Sequence, residues 1–320
     1  MPTLKGLLAA LAVVAVSATG ALAQKTELKL AHIGEPDSLY QKTAEEFAKR
    51  ANAKLGDKAT VSIYGASQLG SDKDILQKLK LGQVQLWLAS TIMSSVAPEF
   101  GVFEMPYLIK DRAHMKRVVA GLNDKVFAPA AKAKGVLLLG TCENGFRHIT
   151  NNSKPILKPG DLAGIKLRVP KGEWRVKMFR AYGANPSPMA YGEVFTALKT
   201  GVMDGQENPF AQIWGGKFHE VQKYLSLSGH VYTPLWIAAS PAGFAALPAD
   251  VQKALTEAAK ETEGVCLDIG AKLDDELLAK MTKDGGMKVF IEASKPIYDE
   301  FGKSLKGGAE LVGDIQALAK

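Results

Sequence analysis

The chain is poor in the groups that most often carry metal and nucleophile chemistry. Of its 320 residues only two are cysteine, Cys142 and Cys266, and five are histidine. Thiols more than a hundred positions apart offer no metal-ligand spacing. His32, His114, His148, His219 and His230 form no H-x-x-x-H pair, so no zinc helix is expected. Also missing are a G-x-S-x-G elbow, a G-x-x-x-x-G-K-[ST] loop and a G-x-G-x-x-G after a strand. Their absence removes the commonest signatures of α/β hydrolases, P-loop enzymes and dinucleotide-dependent enzymes. Past residue 23 no apolar run approaches the roughly 18 residues that a membrane span needs. No run of five like charges, no low-complexity tract and no linker interrupts the chain.

What is present begins with a leader. Lys5 is followed by the uncharged stretch Leu7 to Val16, then by Ala21-Leu22-Ala23 before Gln24. A charged start, a short apolar run and a small-residue site predict a secretory signal peptide over 1–23, cleaved after Ala23. Loss of Lys5 leaves 39 Lys and Arg against 33 Asp and Glu, a net +6. These charges are scattered in ones and twos, as at Lys116-Arg117, which reads as a solvated surface and not as a nucleic-acid patch. Hydrophobic content of 47% with 23% charged residues is that of a globular protein, and 320 residues suffice for two lobes. An exported chain can form disulfides, but spacing leaves the pairing of the two cysteines open. Cys142, beside Val136-Leu137-Leu138-Leu139, is expected in the core.

The body alternates strands and helices. Residues 28–33 alternate as a strand, Ser38 caps a helix from Leu39 to about Lys54, and residues 60–64 form a second strand. Gly70-Ser71-Asp72 opens a helix carrying Ile75, Leu76 and Leu79, Gly82 stops it, and Val84, Leu86 and Leu88 alternate as a strand. This succession predicts mixed, mostly parallel sheets. Leu79-Lys80-Leu81-Gly82 has a counterpart in Leu198-Lys199-Thr200-Gly201, suggesting two units built alike. Asp111 to Ala120 reads as a helix, and residues 230–238 as a strand crossing back between lobes. From Val251 to Met281 apolar residues keep three- and four-residue steps, a helix of about 33 residues and roughly 50 Å that Gly264 and Gly270 are placed to bend. A short strand after Lys288 and helices over 296–305 and 309–318 complete the chain.

One stretch dominates the reading. In Gly164-Ile165-Lys166-Leu167-Arg168-Val169-Pro170 the apolar residues alternate with Lys166 and Arg168, and Pro170 ends the strand. An arginine at such an end packs its stem and presents a planar fork that matches a carboxylate. A structural ion pair with Glu207 or Glu193 is the competing use. Tyr191, Val194, Phe195 and Leu198 then mark one helix face, followed by Val202-Met203-Asp204-Gly205-Gln206-Glu207-Asn208-Pro209. Polar residues thus gather at the ends of apolar elements, where open α/β sheets bind ligands.

Together with Asn144-Gly145-Phe146-Arg147-His148-Ile149-Thr150 and Glu104-Met105-Pro106-Tyr107-Leu108, these segments resemble the DctP-type solute-binding proteins of tripartite ATP-independent periplasmic (TRAP) transporters. The resemblance covers nearly the whole mature chain. It implies an α/β fold of two lobes around a hinge cleft, with a long helix spanning both, in the periplasm. The boundaries expected are 24–145 plus 232–270 for lobe I and 146–231 plus 271–320 for lobe II. It implies a small organic acid as ligand, the small and large membrane subunits of a transporter as partners, a monomeric state, and no nucleic acid, cofactor, metal or catalysis. Arg168 is then the carboxylate clamp, Arg147 its support and Asn208 an orienting amide, with Glu35, Tyr64, Gln68, Trp87 and Tyr191 as further ligand-binding candidates. Dicarboxylates and sugar acids both fit. The alternatives are a ligand sensor for a membrane receptor and, from another class, a secreted lyase or hydrolase.

Overall fold

The computed structural model describes residues 25–281 and 287–319; the expected signal peptide lies outside them. Strand β1 (Thr26–Ala31) buries Leu28, Leu30 and Ala31. The helix Leu39–Leu55 follows, its first turn closed by the Ser38 hydroxyl, which accepts from the Gln41 amide at 3.3 Å. Tyr40, Ala44, Phe47, Ala48, Ala51 and Leu55 recur at three- and four-residue steps, and this buried stripe holds the helix on the sheet. β2 (Ala59–Tyr64), the helix Asp72–Lys80 and β3 (Leu86–Ala89) complete the first unit. The strand begun at Leu137 runs on through ten residues as β4 (Leu137–Phe146). β5 (His148–Asn151) belongs to the other sheet, so the chain crosses at Arg147.

The second sheet adds β6 (Lys166–Val169), β7 (Asn185–Pro188), β8 (Gly205–Asn208) and β9 (Tyr224–Ser226). β10 (Tyr232–Ala239) then returns to the first sheet. At this second crossing the Arg147 amide donates to the Val231 carbonyl at 2.9 Å. The strand orders are β2-β1-β3-β10-β4 and β7-β6-β8-β5-β9. Each sheet is mixed, and its parallel pairings are equalled by its antiparallel ones.

The two orders are one plan used twice, with β6, β7 and β8 standing where β1, β2 and β3 stand. The repeated helix ending marks the same joint in each. Gly82 (φ +72°) and Gly201 (φ +74°) take the left-handed conformation that ends a helix most readily at glycine.

The helix Ala249–Met281 is unbroken. It packs on the helix Leu39–Leu55 and β4, and farther along on the helix Phe210–Gly215 of the second lobe. At Gly270 a side chain would lie 1.7 Å from Oε1 of Glu143, so glycine admits that buried carboxylate against the helix. A disulfide joins Cys142 on β4 to Cys266 on this helix, with Cα atoms 5.6 Å apart. The short strand expected after Lys288 is instead part of the helix Met287–Ser304, and Gly308–Ala317 is the last helix.

Candidate functional site

The doubled topology puts the carboxyl ends of two sets of parallel strands face to face. Between them lies a cavity of about 40 Å³. Ile33 after β1, Asp72 after β2 and Ile92 after β3 line it from the first lobe. Arg168 on β6, Lys171 just beyond it and Tyr191 after β7 line it from the second.

Arg168 is 3% exposed, yet no carboxylate pairs with it among the described residues. Its Nε and Nη2 both donate to the Met189 carbonyl oxygen, at 3.1 and 2.7 Å. Burial pulls its pKa down to about 10, partly offset by the more distant Glu207. A guanidinium so placed stays charged at neutral pH, lacks a counter-ion, and faces the cavity.

Glu207, one of the two partners considered for Arg168, serves other cations. It receives Arg147 in a fork, Nε to Oε2 at 2.6 Å and Nη2 to Oε1 at 3.0 Å. Arg175 donates to the same Oε2 at 2.6 Å, and His230 Nε2 stands 3.0 Å from it. Arg175 also lies 2.8 Å from Glu104. Burial alone would raise the Glu207 pKa, but Arg147, Arg175 and the His230 hydrogen bond outweigh it and hold it well below the carboxylate range. His230 is pushed down to about 4 by burial and is neutral. Two arginines therefore balance two glutamates inside the protein. The other candidate, Glu193, is exposed.

The remaining expectations divide. Tyr191 borders the cavity, its hydroxyl donating to the Gln212 carbonyl at 2.8 Å. Asn208 does not border the cavity but is buried in the Glu207 network: its Nδ2 donates to Gln206 and its Oδ1 accepts from Arg147, at 2.6 and 3.0 Å. Trp87 is buried, and its indole Nε1 is turned toward the Asp72 carboxyl without forming a well-aligned hydrogen bond to it. Glu35 is half-buried, its pKa raised by burial against the pull of Lys217, and it does not border the cavity. Tyr64 and Gln68 are not brought to the site. The Tyr64 hydroxyl is drawn to Glu27 on the neighbouring strand at 2.8 Å, and Gln68 is exposed in a turn closed on Gly65.

Residues 30–305 match the family described as bacterial extracellular solute-binding protein, family 7. The chain belongs to this family. It is 32% identical over 312 residues to the C4-dicarboxylate-binding periplasmic protein DctP of Rhodobacter capsulatus, covering 93% of this chain and 92% of that one. Two solved TRAP periplasmic solute-binding proteins superpose on nearly all of it. One, from Sulfurospirillum deleyianum with bound succinate, has a TM-score of 0.87 at 31% identity and covers 92% of this chain and 99% of its own. The other, from Polaromonas sp. JS666 bound to D-erythronate, has a TM-score of 0.85 at 32% identity, with the same two coverages.

In this family 7 chain the structure adds residues that the sequence alone hid. Asp72 reads as an ordinary acidic first-turn residue of a helix, and only the facing lobe turns it into a cavity wall. Glu104 and Arg175 each look like surface charges in their own segments. Nothing local marks Arg175, since its two partners are 71 and 32 residues away. No group of three or more His, Cys, Asp or Glu suited to a metal ion is found among the described residues.

Proposed function

We propose that the chain is the extracytoplasmic solute-binding subunit of a TRAP transporter, and that it captures a small organic acid between its lobes with Arg168 as the clamp. On this reading residues 1–23 direct export and are cleaved after Ala23. Lobe I is 24–145 plus 232–270, and lobe II is 146–231 plus 271–320. The loaded protein docks on the membrane subunits, which carry the acid inward.

The observation that carries the reading is the buried, counter-ion-free guanidinium of Arg168 at the junction of the strand ends of both lobes. An uncompensated buried charge costs several kcal/mol. A carboxylate delivered there relieves that cost, and each charge-assisted hydrogen bond contributes about 1.5–3 kcal/mol. The cavity of about 40 Å³ has room for a few waters only, so the lobes part to admit the acid and close over it as a hinge. Carboxylates are the ligands of the relatives, succinate in one and D-erythronate in another.

Calorimetry of the mature protein, stripped of bound solute, tests the clamp. Small carboxylates are expected to bind and Arg168→Ala to abolish binding with the fold intact. Binding of neutral sugars or amines alone, or unchanged acid affinity in the variant, refutes it.

A further inference from the structure

The far wall of the cavity carries information about the rest of the ligand. Asp72 opens the helix Asp72–Lys80 and borders the same cavity as Arg168. Its Oδ1 is buried, and the Trp87 N–H turned toward it falls short of a well-aligned hydrogen bond, so the carboxyl is incompletely satisfied. Most buried polar atoms in a native fold have partners, and those that do not commonly await a ligand or an ion. A carboxylate oxygen can only accept. What completes it is therefore a donor, such as a hydroxyl.

The cations of the site limit the acid to one buried carboxylate. Three arginines are buried among the described residues: Arg147, Arg168 and Arg175. Arg147 is held in a two-pronged grip by Glu207, and Arg175 lies between Glu207 and Glu104. Their charges are already matched. Arg168 is the one left; it also acts on Asp72 across the cavity, and its fork can clamp one ligand carboxylate. Lys73 and Lys171 also reach the cavity, but they are exposed at its rim, where solvent screens them. A second ligand carboxylate at the Asp72 end meets a like charge in a confined space.

From this we infer that the site selects a hydroxylated monocarboxylate over a dicarboxylate of equal length, with Arg168 on the carboxylate and Asp72 accepting from a ligand hydroxyl. The inference rests on Arg168 being the carboxylate clamp. Burial lifts the Asp72 pKa to about 7, so the comparison belongs at pH 8, where the side chain is ionised.

D-Erythronate and succinate, both four-carbon acids, are the probes, titrated calorimetrically into the stripped wild-type protein, Asp72→Asn and Arg168→Ala. D-Erythronate is expected to bind the wild type at least tenfold more tightly than succinate. Asp72→Asn is expected to cut that ratio at least tenfold, because asparagine loses the charge that repels succinate and strengthens the hydroxyl contact. Equal wild-type affinities, or a ratio that Asp72→Asn moves by less than threefold, overturn the selectivity while loss of both acids in Arg168→Ala still upholds the clamp. Undiminished binding of both acids by Arg168→Ala overturns the clamp itself. Thermal unfolding of each variant confirms that the fold is present.

Discussion

Arg168 and Met189 are joined through a single acceptor: two donors of the guanidinium converge on one main-chain oxygen, at 3.1 and 2.7 Å. The tether fixes the plane of the fork without neutralising it. It comes from the segment after β7, the parallel neighbour of β6 in the sheet, so the sheet itself aims the charge.

Lysine in place of Arg168 keeps the charge but loses that plane. Arg168→Lys is expected to cost acid binding the equivalent of one charge-assisted hydrogen bond, about 1.5–3 kcal/mol, or roughly ten- to 150-fold. Calorimetry reads this directly, and full affinity in the lysine variant would show that only the point charge matters.

The pair Arg175 and Glu104 stands 2.8 Å apart with both side chains essentially inaccessible, and Arg175 comes from the second lobe while Glu104 follows β3 of the first. Removing one partner strands a buried charge, so Arg175→Met is expected to destabilise the protein by about 3–5 kcal/mol. Adding Glu104→Gln should recover part of that loss. Urea unfolding distinguishes the cases: a double variant no more stable than Arg175→Met would mean that Glu104 is not the stranded partner.

Two glycines on one helix should behave oppositely. A methyl group at Gly270 would lie 1.7 Å from Glu143 Oε1, and that carboxylate also receives Arg112 Nε at 2.8 Å and the Tyr232 hydroxyl at 2.7 Å. Gly270→Ala is therefore expected to destabilise by about 1–3 kcal/mol. At Gly264 nothing lies within 4 Å of the added carbon, and alanine there should stabilise the helix by up to about 1 kcal/mol. Denaturant midpoints that move the same way in both variants would contradict this account.

His32 is buried, and burial, only partly offset by hydrogen bonding with Gln41 and Gly34, pushes its pKa down to about 4 from its usual 6.5. Between those values the unfolded chain takes up a proton that the folded one refuses. This residue's contribution is thus complete above pH 6.5 and is lost as pH falls toward 4. His32→Phe removes the penalty. Relative to wild type it should gain stability on acidification through that window, by up to about 1.4 kcal/mol per pH unit. Carboxyl groups titrating in the same range are common to both proteins and cancel in the difference. A stability difference that stays constant from pH 7 to 4.5 would count against the assignment.

The β-α-β pattern, the doubled unit and the long helix were legible because each is written in local periodicity and in glycines such as Gly82 and Gly201. The place of Arg168 at a strand end was legible too, as its strand stops at a proline, but the alternation grouped it with the exposed Lys166 and did not show its burial. Its freedom from a counter-ion was not legible either. Which arginine takes Glu207 depends on the antiparallel register of β5 on β8, where Ile149 faces Glu207 and His148 faces Asn208. Tyr64 shows the same limit from the other side: it ends a strand as expected, but an acidic side chain on the adjacent strand takes its hydroxyl. Asp72 became a wall of the cavity only through the lobe opposite, and the Cys142–Cys266 bond only through the packing of the long helix on β4.

The place of β10 in its sheet sets an order of assembly. β10 lies between β3 and β4, and it is the last strand among the described residues. Until it arrives, β3 and β4 have no hydrogen-bonded neighbour in common, and the first sheet has a gap that leaves β4 unpaired. The second sheet, β5 to β9, is drawn from one continuous segment. A chain emerging from its amino end can therefore complete its second sheet first, while the sheet begun earliest waits for strand insertion. Long-range pairings of this kind fold slowly and leave strand edges open to other chains in the meantime.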